Sequence, residues 1–276
     1  MSFKIISDSS SNLLSNEYDN FVSVPLKIIL GEKEYTDNES LDVSQLVNEM
    51  ATSKEKCSTS CPNVFDWLNA FEGSNEIFAV TITSSLSGSY SAAKQAEEDY
   101  LSSHPDAKIC IIDSLTAGPE MELVIEKLIE SRENGLSFEE TEKLIKQYMK
   151  KTHLLVSLES LKNLAKNGRV SNTVAKIAGV LGIRVVGMAS EKGTLEPIHK
   201  CRGEKKTLET LKDELLKFGY IGGKLRISYC ENKNIAETFK NIVCGIFPNC
   251  NIKIRHCGGL CSFYAERGGM ILGFET

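Results

Sequence analysis

Between residues 76 and 134 short apolar runs alternate with stretches of helical periodicity, and this order limits the chain more than any other feature. Glu76–Thr81 and Lys108–Ile112 read as strands, and Ser87–Tyr100 and Glu120–Asn134 as helices, the second stopping at Gly135. In that second helix Met121, Val124, Ile125, Leu128 and Ile129 share one face. A strand, a covering helix and a further strand close most simply as parallel neighbours. The order therefore predicts a mainly parallel sheet covered on both faces. Flanking segments extend the pattern. Phe3–Ser7 reads as a strand, and Phe21–Leu30 as another that Pro25 weakens. Val43–Met50 reads as a helix, and Pro62–Phe71 as one with proline at its first position. Ser137–Lys150 carries a capping box, Ser137 with Glu140.

After a strand at His153–Ser157 the character changes. Short helices are predicted at Leu158–Lys166 and Asn172–Leu181, and strands Ile183–Ala189 and Thr194–His199 are joined by a hairpin turn at Glu191-Lys192-Gly193. Helix Glu204–Phe218 stops at Gly219, strand Leu225–Tyr229 leads to helix Asn234–Ile246, and three strand-like runs close the chain: Asn251–His256, Leu260–Tyr264 and Met270–Phe274. The expectation is an α/β protein of two domains. Residues 1–155 form an α/β/α domain with a mainly parallel sheet. Residues 156–276 form an α+β domain with a mixed or antiparallel sheet covered by helices. The boundary is soft, since residues 21–37 could join the second sheet.

Of the 276 residues 41% are hydrophobic and 25% charged, enough apolar material for a packed core. Against 37 acidic residues stand 32 basic ones, and the one dense basic cluster (Lys200, Arg202, Lys205, Lys206) is interrupted by Glu204. Nucleic acid is therefore not an expected partner, because phosphate contacts need a basic stripe. The longest apolar stretch, Ile177–Ala189, contains Arg184 and three glycines, so no membrane span is expected. The opening Met-Ser-Phe-Lys-Ile-Ile-Ser-Asp lacks a signal-peptide apolar region, and a cytoplasmic location is the expectation. Nine cysteines include the pairs Cys57/Cys61 and Cys257/Cys261, whose four thiolates would be one way to hold zinc. An odd count in a long chain without a secretion signal favours reduced, mostly buried thiols and no metal.

Three loops are rich in hydroxyls: Ser7-Asp8-Ser9-Ser10-Ser11, Ser58-Thr59-Ser60, and Thr83-Ser84-Ser85-Leu86-Ser87-Gly88-Ser89. Helix capping explains any one of them. Three loops at the carboxyl edge of one sheet point instead to a bound carboxylate or phosphate, received by hydroxyls and free helix-terminal N–H groups. Gly88, having no Cβ, lets the backbone come close to such a ligand. Catalytic signatures are missing: there is no G-x-S-x-G elbow, no phosphate loop and no H-E-x-x-H. The four histidines (His104, His153, His199, His256) are scattered. A serine hydrolase acting on acyl esters or acyl phosphates through Ser87 is the alternative reading, and it lacks an evident base.

With these residues on the page the chain resembles the DegV family of bacterial fatty-acid-binding proteins. Asp8-Ser9 closes the first strand. Thr59-Ser60-Cys61-Pro62 is similar to the family's T-S-x-P-S loop, with Asn63 in place of the last serine. Ser84 to Tyr90 is similar to S-S-x-L-S-G-T-Y, Ile112-Asp113-Ser114 to I-D-S, Gly168-Arg169-Val170-Ser171 to G-G-R-I-S, and Arg202 to Lys206 to R-x-x-K-K/A. The resemblance implies a long-chain fatty acid in a tunnel between the two domains, its carboxylate held by Thr59 and Ser87. Ser60, Gly88 and Ser9, from the same loops, complete the candidate binding set. It also implies a non-catalytic subunit, without cofactor, that presents the acid to a separate dihydroxyacetone-kinase-like fatty acid kinase. Arg169 and Arg202 are candidates for docking or for the phosphate step. The family often closes with a histidine before G-P-G-A-L-G. Here Tyr264 stands at the histidine, and Glu266-Arg267 replace glycine and proline.

Overall fold

The computed structural model describes residues 3–53, 55–171 and 182–276. The alternating segment forms a parallel sheet in the order β2-β1-β6-β7, from β1 (Phe3–Asp8), β2 (Phe21–Val24), β6 (Glu76–Thr81) and β7 (Lys108–Asp113). The period of two along each strand decides what it packs against. Ile5, Phe78 and Val80 face α4 (Pro119–Glu133) and α5 (Phe138–Tyr148). Ile6, Ile77 and Ala79 face Trp67 and Phe71 of α2 (Val64–Phe71) and Ala93 and Tyr100 of α3 (Ser89–Ser103). Strand β6, one of the two inner strands, is buried along its whole length, which is why its middle, Ile77 to Val80, reads as an apolar run.

A second sheet, β10-β9-β8-β13-β11-β12, is built from β8 (Thr152–Leu158), β9 (Ile183–Ala189), β10 (Leu195–Arg202), β11 (Lys224–Tyr229), β12 (Asn251–His256) and β13 (Met270–Glu275). It is mixed: β11 and β12 run parallel and the other neighbours antiparallel. On its outer face Leu208, Leu211 and Leu215 of α7 (Glu204–Lys217) and Phe239 of α8 (Lys233–Ile246) pack against Leu155, Ile227, Leu272 and Phe274.

Helix α4 lies between the two sheets. Gly273 on β13 permits the contact, since a Cβ there would stand 2.3 Å from the Glu120 backbone nitrogen. Along the face of α4 turned to the second sheet, acids meet arginines. Arg226, 1% exposed, grips Glu126 through Nε at 3.0 Å and Nη2 at 2.7 Å. Arg255 grips Glu122 at 3.0 and 2.8 Å, and Lys253 adds a bond to Glu126 at 2.8 Å. At the start of the helix Glu120 accepts hydrogen bonds from Thr116 and, across the joint, from Thr152 of β8 at 2.8 Å.

Several expectations are corrected. Residues 21–37 do not join the second sheet. Pro25 splits them, β2 enters the parallel sheet, and β3 (Lys27–Leu30) with β4 (Lys33–Thr36) and β5 (Cys57–Ser60) forms a separate antiparallel sheet, β4-β3-β5, that the sequence did not announce. Leu260–Tyr264 is not a strand but the body of helix α9 (Gly259–Ala265), a short segment buried nearly all round, where periodicity cannot separate the two. Pro62 precedes α2 rather than opening it, because Asn63 is the N-cap and shares a capping box with Asp66. The strand at residue 152 runs on to Leu158, and the following helix is shortened to α6 (Lys162–Lys166). The helix expected at 172–181 lies outside the described residues. No described helix is long and apolar enough to cross a membrane.

Two outcomes follow from the α4 joint. Gly273→Ala sets a methyl against backbone rather than a yielding side chain, so it costs about 3 kcal/mol in urea unfolding. Burial pushes the Glu120 carboxyl up to about 7. The native state then keeps a proton that the unfolded chain releases near 4.5, so this contribution is complete below pH 4.5 and is lost as pH rises towards about 7. Glu120→Gln should flatten the decline of the thermal midpoint across that window. A profile parallel to the parent's would remove Glu120 as its source.

Candidate functional site

The chain leaves β1 towards β2 on one side and returns on the other side as β6, so the loops after these neighbouring strands diverge and leave a crevice at their carboxyl ends. Asp8 closes β1 with its side chain fully buried. Its carboxylate accepts hydrogen bonds from the Ser89 hydroxyl at 2.6 Å, the Ile82 N–H at 2.9 Å and the Ser10 hydroxyl. Burial pushes its pKa up, and these bonds oppose the shift. One buried acid thus ties the end of β1 to the loop after β6 and to the first turn of α3. Ser87 and Gly88 project from the same loop, and the Ser87 hydroxyl accepts from the Ser89 N–H at 3.3 Å. A Cβ on Gly88 would lie 3.2 Å from the Cys61 sulfur, so the residue that follows β5 and the loop at 87–88 pass in close contact.

A second buried acid holds the opposite wall. Asp37 accepts from the N–H groups of Gly259 at 2.6 Å and Leu260 at 2.9 Å, the first residues of α9. A carboxylate suits that end of a helix, where free N–H groups gather. Ser9 donates to Asp37 at 2.8 Å and accepts from the Leu26 N–H at 3.0 Å. Helix α9 in turn presents Tyr264, whose hydroxyl lies 2.8 Å from that of Thr59 on β5. The Arg169 guanidinium stands 5.9 Å from the Tyr264 ring centre, and its Nε donates to the Leu86 carbonyl at 3.1 Å. Thr59, Tyr264, Arg169 and the 86–88 loop are therefore one continuous polar patch.

This patch opens on a cavity of about 320 Å³. Thr59, Ser60, Ser87, Gly88, Arg169 and Tyr264 all line it. The rest of the wall is apolar, with Leu154, Val156, Leu158 and Ile271 from the inner face of the second sheet and Leu26, Ile82, Leu195 and Leu260 around them. Among the described residues the wall contains no carboxylate and no histidine. It offers hydroxyl donors and one guanidinium to an anion, and a dry continuation to whatever is attached. Among the described residues it offers no carboxylate or imidazole base to Ser87.

Two candidates from the sequence stand elsewhere. Ser9 lies behind the wall as the bracket of Asp37, and its hydroxyl is already committed to Asp37 and Leu26. Arg202 is exposed at the end of β10 and does not line the cavity. Sequence reasoning missed Asp37, which sits between strand and helix signals without any motif. Its role exists only because α9 arrives there from more than two hundred positions away. Cys57, Cys61, Cys257 and Cys261 belong to no group of metal-ligand type, for none of three or more His, Cys, Asp or Glu side chains forms among the described residues. Cys61 and Cys261 instead line the cavity, and burial pushes the Cys261 thiol up.

Comparison with known proteins places this geometry. The model of the DegV family, described as uncharacterised proteins, matches residues 2–275. A DegV domain-containing protein of Streptococcus pneumoniae is 44% identical over the whole of this chain and 99% of its own. Among solved structures, the Streptococcus pneumoniae Fatty Acid Kinase (Fak) B3 protein loaded with linoleic acid is 44% identical, with a TM-score of 0.98 over all of this chain and 99% of that one. A DegV family protein from Eubacterium eligens loaded with heptadecanoic acid is 43% identical, with a TM-score of 0.97 over the whole of both chains.

Because Asp8 satisfies three separate donors, Asp8→Ala leaves buried groups unpaired and should cost about 3 kcal/mol or more. Chemical denaturation measures this, and a cost close to zero would show that the loop after β6 holds its position without the acid.

Proposed function

We propose, from the premise that this chain belongs to the DegV family, that it binds a long-chain fatty acid. The observation that carries the reading is the joining, in one cavity, of a hydroxyl-and-guanidinium patch to an apolar wall. A fatty acid has the matching two-part chemistry. Its carboxylate is held by Thr59 and Ser87, with Ser60 and Gly88 beside them. The Thr59 and Tyr264 hydroxyls lie 2.8 Å apart and either can donate; with Tyr264 as the donor, the threonine proton is free for the carboxylate. Arg169 supplies positive charge behind the Tyr264 ring. Each methylene buried along the apolar wall contributes roughly 0.8 kcal/mol. The linoleic and heptadecanoic acids of the two similar structures support the ligand class.

In this reading the protein is a binding subunit rather than an enzyme. It presents the carboxylate to a separate fatty acid kinase of the dihydroxyacetone-kinase type, which phosphorylates it. The name of the similar Fatty Acid Kinase B3 protein supports that partner class. The absence of a histidine from the described wall weighs against the hydrolase alternative. Arg202, exposed and not among the cavity-lining residues, is accessible for docking.

Native mass spectrometry, followed by analysis of the organic extract, tests the reading. A mass excess that disappears on denaturation and is recovered as free fatty acid is the expected result. A ligand-free protein that takes up neither oleate nor palmitate would overturn it. Thr59→Ala and Ser87→Ala each remove one bond to a charged group, about 1.5–3 kcal/mol, and should weaken retention roughly 10- to 100-fold. Tyr264→Phe should have a smaller effect that vanishes in the Thr59→Ala background. Independent, additive losses would contradict the shared hydrogen bond.

A further inference from the structure

Away from the cavity, two thiols meet. Cys244 lies in the last turns of α8 and Cys250 just before β12, both half-buried and reduced, with their sulfurs 3.4 Å apart. The chain delivers them to each other by its own turn. The Phe247 N–H closes α8 on the Val243 carbonyl at 2.8 Å, and the Cys250 N–H then returns to the Phe247 carbonyl at 3.1 Å. The Phe247 ring fixes the turn by packing edge-on against Tyr220 at 5.3 Å. Gly245, Ile246, Pro248 and Asn249 around the pair are exposed, which gives a small solute access to it. Cys201, Cys230 and Cys257 are buried and do not line the cavity.

We propose that Cys244 and Cys250 form a redox site whose substrate is a low-molecular-weight disulfide. One cysteine thiolate attacks a sulfur of the oxidant, the oxidant's S–S bond breaks, and a mixed disulfide forms as the first small thiolate leaves and takes up a proton. The second cysteine, deprotonated by solvent, attacks the protein sulfur of that mixed disulfide and expels the second small thiol. Two protein thiols are oxidised and one disulfide is reduced to two thiols. Sulfurs already in contact reach bonding distance by a small side-chain rotation. The second step is intramolecular, so the neighbouring thiol outcompetes a further molecule from solution. The product is a reversible staple across the end of α8. Neither sulfur lines the cavity, so the proposal stands apart from the ligand reading.

The test uses the reduced protein, oxidised glutathione, blocking with iodoacetamide and tryptic mapping without reductant. Cleavage after Lys240 and Lys253 releases one peptide, 241–253, holding both cysteines and no other. The expected product is that peptide two hydrogens lighter, unblocked by iodoacetamide and restored by dithiothreitol. In Cys244→Ser and in Cys250→Ser the remaining cysteine should retain one glutathione instead. Free or doubly glutathionylated cysteines in the parent peptide, or a bond from either to a third cysteine, would overturn the proposal.

Discussion

The placement of the whole molecule rests on α4, a helix that has a sheet on each side. From Pro119 to Glu126 it is buried without a break, glutamates included. A buried carboxylate that loses its partner is far more costly than one left in water, so the pairings of Glu122 with Arg255 and of Glu126 with Arg226 fix how the helix sits on β11 and β12. The apolar side of the same helix is simultaneously committed to Ile5 and Phe78 of the parallel sheet. One element thereby sets the separation of the two sheets. The space that remains beyond its N-terminus, between the loops of one sheet and the inner face of the other, is the cavity.

The cavity's polar patch is held by two acids that never touch its interior. Asp8 fixes the loop bearing Ser87 and Gly88, and Asp37 fixes the helix bearing Tyr264. Ser9 connects the second acid back to the strand end from which the first arises. Hydroxyls that could otherwise rotate are presented from positions fixed by buried, multiply bonded carboxylates, as a preorganised anion site needs.

Legibility in the sequence followed from how local each cause was. The capping box at Ser137 and Glu140 is complete within four residues and appears as read. That β1, β6 and β7 run parallel in one sheet followed from alternation, whereas their neighbour order did not. Thr59, Ser60, Ser87 and Gly88 stood out as hydroxyl-rich or glycine positions beside predicted helix starts, and all four line the cavity. Ser9 was singled out on the same ground but faces Asp37, because loop composition cannot say which way a side chain turns. The run Leu260–Tyr264 was misread because total burial erases the amphipathic signature that separates helix from strand. The small sheet of β3, β4 and β5 escaped notice because its third strand, Cys57–Ser60, is polar and is recruited from a distance.

Periodicity, caps and the spacing of glycine and hydroxyl residues determined by themselves the α/β class, the parallel sheet, most of the helices and the loops that would carry an anion. These depend on interactions spanning a few residues, which composition and order encode directly. Tertiary structure alone decided that Tyr264 meets Thr59, that Arg169 stands behind the tyrosine ring, and that Asp37 caps a helix more than two hundred residues later. It also decided that Leu154, Val156 and Ile271 complete the apolar wall begun by Leu26 and Ile82. Such contacts exist only after the entropy of closing long loops has been overcome by packing α4 between the two sheets, and no local pattern records which distant partner will be there.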